Sequence, residues 1–329
     1  MRARRLGRTG FEVSEIGFGA WGIGGMMWRG GDDARSRRAL EAALDAGVTF
    51  IDTALVYGDG HSERLIGDVM AGQKAGRGRI VVATKIPPKD RVWPGRAETP
   101  LARTFPSAHL TACVERSLSN LRTDALDLEQ LHVWNDAWLT SPAWEATRRT
   151  MDRLQQEGKV RHWGISINDH APHTALKVAA DPLIETVQVI YNIYDRSPER
   201  ELFALAHRQD LGVIARVPFD EGGLTGKLTS QSRFPDGDWR RQYFAGDRLP
   251  AAVARAAALA PLLGDEAAGL PELALRFCLS NGNVSTVIPG MRSEEHVRAN
   301  TAVSDGRPLS GPLLARLADH AWPKNWYGD

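Results

Sequence analysis

The strongest constraint on this chain is a rhythm: short runs rich in Val and Ile alternate with longer amphipathic segments almost from end to end. The runs are "EIGFG" (15–19), "VTFID" (48–52), "RIVVATK" (79–85), "LDLEQLH" (126–132), "VRHWGIS" (160–166), "ETVQVIY" (185–191), "LGVIARV" (211–217) and "VSTVIPG" (284–290). Between them the pattern predicts helices around 33–46, from about 61, and near 107–121, 141–157, 170–179 and 198–209, then between 249 and 280 and near 293–303. Val/Ile-rich runs of this kind suit strands buried on both faces. Eight strand–helix repeats in 329 residues predict an α/β fold, a (β/α)8 TIM barrel forming one domain over 1–329. Its functional site belongs at the C-terminal ends of the strands.

A doubly wound sheet produces a similar string, and Gly17, Gly19 and Gly22 have the G-x-G-x-x-G spacing of a dinucleotide loop. The surroundings contradict that use. A loop, "IGGMMWRGG", follows the glycines, and Asp32 and Asp33 stand at the start of the next helix, where they would repel a pyrophosphate. The ribose-binding acid expected about 20 residues after the glycines would fall inside that helix. The glycines instead read as close backbone approach at a barrel mouth.

Composition narrows the remaining classes. The chain is 43% hydrophobic and 25% charged, as globular proteins are, and its net charge of +1 gives no field that draws nucleic acid or an anionic membrane. Cys113 and Cys278 lie far apart in predicted helices, so no disulfide framework or metal spacing is seen, in keeping with a reducing cytoplasm. "MRARRLGRTG" has no apolar run behind it and does not read as a signal peptide; no stretch reaches membrane-spanning length. The expectation is a cytoplasmic protein with a small-molecule ligand, no nucleic acid and no membrane, with homo-oligomerisation left open.

Three segments depart from the repeat. "RRLGRTGFEVS" (4–14) reads as a hairpin turning at Gly7–Gly10 that plugs the barrel bottom. The long loops at 86–106 and 221–247 follow strands and so stand over the functional face as lids or walls. The tail "HAWPKNWYGD" either folds there or frays.

Asp52, Lys85 and His132 end three different strands, and Tyr57 follows Asp52 in its loop, so four segments deliver ionisable groups to one rim. Singly, each has an ordinary explanation as a cap, core or surface residue, though an unpaired lysine ending an apolar strand is costly to bury. A metal-dependent barrel would need a His-x-His or carboxylate cluster at strand ends, and the sequence has none.

"DTALVYGDGHSERLIG", "VATK", "DLEQLH" and "GIS" together resemble the aldo-keto reductase superfamily, and the likeness runs from "RRLGRTGFEVSEIGFGA" to "VIPGMRSEEHVRAN", nearly the whole chain. The resemblance implies an NADP(H)-dependent oxidoreductase, with NAD(H) left open, that interconverts a carbonyl and an alcohol. Its catalytic tetrad falls on Asp52, Tyr57, Lys85 and His132. In that scheme Tyr57 donates the proton as hydride reaches the carbonyl carbon, Lys85 favours the phenolate, Asp52 holds Lys85, and His132 orients the carbonyl oxygen. The other class it allows is a nucleotide-binding regulatory subunit with slow or vestigial turnover.

The resemblance also implies a cofactor groove. Gly19, Ala20 and Trp21 come from the first loop, with Ser166 and Gln188 at the nicotinamide amide. Ile167 stands where an Asn is usual, with Asn168 one step later. Arg216 replaces the aromatic ring that stacks on nicotinamide, within "IARVPF", which also supplies Pro218. A guanidinium can stack on a ring but adds charge, which disfavours the oxidised cation. Leu224, Gly226 and Lys227 match the strap along the pyrophosphate. Gly290, Arg292, His296 and Asn300 match the adenosine end, with His296 and Ala299 departing from the usual residues. Arg292 suits a 2′-phosphate, although "RSEEH" also reads as a plain helix start capped by Ser293. Trp21, Trp28, Trp93 and Trp134 are the candidate walls of an apolar or aromatic substrate pocket, Trp21 and Trp134 foremost.

Overall fold

The computed structural model describes residues 1–72 and 80–327. Arg79, at the head of the third run, and the last two residues of the tail lie outside the described residues. Strands β1 (Ala3–Arg5) and β2 (Glu12–Ser14) form an antiparallel hairpin. The other eight pair in chain order, all parallel: β3 (Phe18–Gly19), β4 (Phe50–Asp52), β5 (Val81–Ile86), β6 (Leu126–Leu131), β7 (Val160–Ser166), β8 (Ile184–Ile190), β9 (Gly212–Arg216) and β10 (Thr286–Val287). Parallel bridges Ile16–Val287 and Gly19–Gly290 join the two edges and close the barrel. At this seam the Gly17 N–H donates to Val287 O at 2.8 Å and the Val287 N–H to Glu15 O at 2.9 Å. A Cβ on Gly19 would fall 2.7 Å from Ile288 O, so the glycine permits closure.

The hairpin plugs the barrel bottom as expected. Leu6 and Val13 pack with Phe50, Val81, Ala83, Leu128, Ile214 and Ile288 as a separate cluster. Arg4 fastens it from outside, reaching Glu15 and the carbonyls of Leu279 and Val284 at 2.7–2.9 Å.

The outer layer comprises α1 (Asp33–Asp45), α2 (His61–Gly72), α3 (Leu101–Thr104), α4 (Ser107–Leu121), α5 (Pro142–Gln156), α6 (Leu202–Gln209), α7 (Arg240–Tyr243), α8 (Arg248–Leu259), α9 (Leu270–Leu279), α10 (Glu294–Thr301) and α11 (Gly311–Ala318). Capping explains several starts: Asp32, Ser141, Ser293 and Ser310 each accept a backbone N–H at the head of a helix. Two expected helices differ. The segment 170–179 forms two 3₁₀ turns, Pro172–Ala175 and Val178–Ala180, because Asp136 accepts the Lys177 and Val178 N–H groups and pins the chain between them. The 249–280 stretch breaks into α8 and α9 around Pro261, Gly264 and Gly269. The sequence pattern does not anticipate α11. Cys113 and Cys278 are free and buried, on α4 and α9. Among the described residues no helix is long and apolar enough to cross a membrane.

Candidate active site

Asp52 ends β4, Lys85 lies one residue before the end of β5, and His132 follows β6, so all three side chains reach the same mouth. Lys85 is fully buried, which would be prohibitive for an unpaired ammonium. Its three donors are all used: Asp52 Oδ1 at 2.7 Å, Asp52 Oδ2 at 2.9 Å and Thr53 O at 2.7 Å. Gln188, across the barrel on β8, donates its amide to Asp52 Oδ2 at 2.6 Å. Burial pushes the Lys85 ammonium below its ordinary value, and the Asp52 carboxylate works against that shift.

Tyr57 sits in the loop after β4, with Lys85 Nζ 5.2 Å from the centre of its ring. The His132 ring meets it edge-on at 5.8 Å, and Trp93 meets His132 edge-on at 4.8 Å. Burial, then the positive charges of Lys85 and Arg216, hold His132 well below the usual imidazole range, so it is neutral. Its Nδ1 is buried without a partner.

The phenol corrects one expectation. Tyr57 is not acidified here: burial and the Asp52 charge push its pKa up, Glu221 adds to the rise, and Arg216 is the group that opposes it. The physical reason is that the Lys85 charge is already spent on Asp52. Tyr57 therefore holds its proton at neutral pH.

The groove residues divide. Ala20 is buried, its N–H donating to Asp52 O at 2.9 Å, and Trp21 lies 6.3 Å from the Tyr57 ring. Ser166 and Gln188 are register partners on β7 and β8, and Gln188 reaches Asp52. Arg216 ends β9, with one nitrogen donating to Ile167 O at 2.9 Å and its Nε buried without a partner. Beyond Pro218, the segment Asp220–Thr225 turns with left-handed backbone at Asp220, Glu221 and Gly222, and Gly226 continues it. Leu224 is fully buried, while Lys227 is exposed. Arg292 lies against Gly22, whose Cβ would meet its stem at 2.7 Å, and donates to Arg29 O at 2.9 Å. His296 is held below its ordinary pKa by burial and the Lys227 charge. Asn300 is buried with its amide nitrogen unpartnered.

Two expected site residues are structural. Asn168 accepts the N–H groups of Gly95 (3.0 Å) and Trp134 (3.3 Å) and donates to both of their carbonyls, at 2.9 and 2.6 Å. All four of its hydrogen-bonding positions are filled, which leaves none for a nicotinamide amide. Trp134 is fully buried between Trp138 and Trp144, its indole N–H on Asp136. Trp28 stays near the mouth, under the Arg240 guanidinium at 4.2 Å and beside Trp21.

Other groups at the mouth escape the sequence analysis. Trp239 packs on Trp21 at 6.1 Å and stacks on Tyr327 at 5.3 Å. Tyr327 donates to the buried Glu221 at 2.5 Å, and Lys324 pairs with Asp220 at 2.6 Å, so the tail folds over the face rather than fraying. The signal available was aromatic enrichment in the 221–247 loop and the tail, which points to a lid without singling out a residue.

The groove fits a dinucleotide at both ends: the unpartnered Asn300 amide and Arg292, which has no carboxylate partner among the described residues, at one, the unpartnered Arg216 and His132 nitrogens at the other. Comparison with known proteins agrees. A model of the "Aldo/keto reductase family" matches residues 15–320. The chain is 33% identical over 240 residues to "Aldo-keto reductase YhdN" of Bacillus subtilis, covering 73% of this chain and 69% of that protein. It is 30% identical to a "Probable voltage-gated potassium channel subunit beta" of Oryza sativa, covering 95% and 94%. Among solved structures, the "glycerol dehydrogenase AKR11B4 from Gluconobacter oxydans" superposes with a TM-score of 0.78 at 29% identity, covering 97% and 94%.

Proposed function

Because the chain belongs to the aldo/keto reductase family, we propose that it is an NADP(H)-dependent oxidoreductase that interconverts an aldehyde or ketone and its alcohol, with Tyr57 as general acid and base. Membership supports an oxidoreductase that uses a nicotinamide cofactor on a small carbonyl compound. The observation that carries the finer reading is the buried Asp52–Lys85 pair set beside Tyr57 and His132 at one mouth.

A reduced nicotinamide, when bound, supplies the hydride. The carbonyl oxygen gains negative charge as its carbon is reduced, and a proton must reach that oxygen. Tyr57, kept protonated by burial, donates it. Neutral His132 offers an N–H to the same oxygen without adding a charge that would favour premature proton loss. In the reverse direction the tyrosinate takes the alcohol proton, a state that Arg216 favours.

For the cofactor, Ser166 and Gln188, register partners on β7 and β8, would hold the nicotinamide amide, and the loop with Leu224, Gly226 and Lys227 would lie along the pyrophosphate. Arg292, with Asn300 and His296 on α10, supports NADP(H) over NAD(H), since a guanidinium pairs well with a 2′-phosphate.

The test is NADPH and NADH consumption over a panel of carbonyl compounds, with Tyr57→Phe as the control. NADPH-dependent turnover that Tyr57→Phe abolishes supports the reading. Tight NADPH binding with no turnover of any carbonyl would favour the other class, a nucleotide-binding regulatory subunit with vestigial turnover.

A further inference from the structure

Among the described residues, the large hydrophobic side chains most exposed to solvent are Met1, Met26, Met27, Val56 and Trp93. All but Met1 stand on the loops that follow β3, β4 and β5, at the mouth that holds Tyr57. Two of these three loops meet directly. A Cβ on Gly24 would lie 3.0 Å from the Tyr57 backbone, so the loop carrying Met26 and Met27 is pressed against the one carrying Val56. Trp93 leaves 41% of its surface in water while its ring meets His132 at 4.8 Å. Single exposed apolar residues need no explanation, but a group of them at the rim of a site marks a surface that something apolar covers.

We propose, resting on the reductase reading, that this rim binds the non-reacting body of the substrate, which is therefore a bulky apolar carbonyl: an aryl or long-chain alkyl aldehyde or ketone. With the carbonyl oxygen at Tyr57 and His132, the body leaves the site between Trp93 and Val56 and ends on Met26 and Met27. Trp93 presents an aromatic face to it. The methionines, unbranched and polarizable, adapt to bodies of differing shape. A small hydrophilic carbonyl would be consumed at the mouth without touching the rim and would bury none of its exposed apolar surface.

The test is steady-state kinetics with NADPH saturating, over straight-chain aldehydes from propanal to decanal, with 3-phenylpropanal, methylglyoxal and glyceraldehyde beside them. The expected result is a rise in kcat/KM of about two- to fourfold per added methylene, as partial burial of each group gives, with 3-phenylpropanal and octanal both preferred to methylglyoxal. The combined Met26→Ser and Met27→Ser variant, and separately Val56→Ser, lower the ratio of octanal to propanal kcat/KM by about tenfold or less while keeping its direction. A flat series, or methylglyoxal preferred to octanal, overturns the proposal and leaves the reductase reading standing. Failure to reduce any carbonyl overturns the reading beneath it. A dimer in sedimentation that the double serine variant dissociates, with the chain-length series unaltered, assigns the rim to self-association and also overturns the proposal.

Discussion

Both carboxylate oxygens of Asp52 hold the Lys85 ammonium, at 2.7 and 2.9 Å, in a setting almost without solvent. Removing one partner strands the other as a buried charge. Lys85→Met is expected to destabilise the fold by about 3–5 kcal/mol, read from urea unfolding. The combined Asp52→Asn and Lys85→Met variant should cost less than the sum of the two single changes. Strict additivity would show that the pair does not act as a unit.

Tyr57→Phe keeps the ring and its contacts with His132 and Trp21 while deleting the hydroxyl. Turnover should fall by about 10²–10⁴, with NADPH affinity, measured by quenching of protein fluorescence, nearly unchanged. Near-normal turnover would take the proton-donor role away from Tyr57.

The pH profile should differ between the two directions. His132, lowered by burial and the Lys85 and Arg216 charges, stays neutral through the mildly acidic range, and Tyr57, raised by burial and Asp52, stays protonated through the alkaline one. Reductive kcat/KM is therefore expected to be level from about pH 6 to pH 9, whereas oxidation rises with pH as the phenolate fraction grows. An acid limb centred near the ordinary histidine value of about 6.5 in the reductive profile would show that His132 titrates during turnover.

Arg216 is the charge that favours the Tyr57 phenolate. Arg216→Leu should move the oxidative limb to higher pH. If its guanidinium also stacks on nicotinamide, the same variant should bind NADP⁺ more tightly relative to NADPH, because a repelling cation is gone. An unchanged ratio of the two dissociation constants would put Arg216 away from the ring.

Asn168 and Ser166 offer a contrast. Asn168→Ala leaves the Gly95 and Trp134 backbone groups without their partners and should cost about 2–4 kcal/mol of stability, with NADPH affinity maintained. Ser166→Ala should leave stability near wild type and weaken NADPH binding. The reverse pattern would return Asn168 to the cofactor.

Most of the barrel is legible in the sequence, because a strand buried on both faces shows as an unbroken Val/Ile run and a surface helix shows its own period. β7 spans the same residues as its sequence run, and α4 the same as its predicted helix. The misses share a cause: tertiary contacts that a local pattern does not contain. Asp136 reaches across to turn 172–180 into short 3₁₀ pieces. The strand ends supply Asp52, Lys85 and His132, so these can be found by position alone. Trp239 and Tyr327 cannot, since nothing in the residues around them says that a loop and a tail meet. Asn168 and Trp134 stand at plausible positions in the string, and only the folded chain reveals that their partners are each other and Gly95. The direction of the Tyr57 shift was hidden for a related reason: the sequence shows a lysine nearby but not that its charge is already matched.

The eight-stranded hoop is fastened with its shortest pieces. β3 and β10 are two residues each, and they meet through a few amide bonds beside glycines that offer no side chains to interlock. Deuterium should accordingly enter the amides of Gly17, Gly19 and Val287 well before it reaches the broad ladder between β6 and β7. Under heat or denaturant the wall would unzip from that clasp, and the hairpin stopper, with Arg4 hooked to the carbonyls just ahead of β10, would be the first part to fall away.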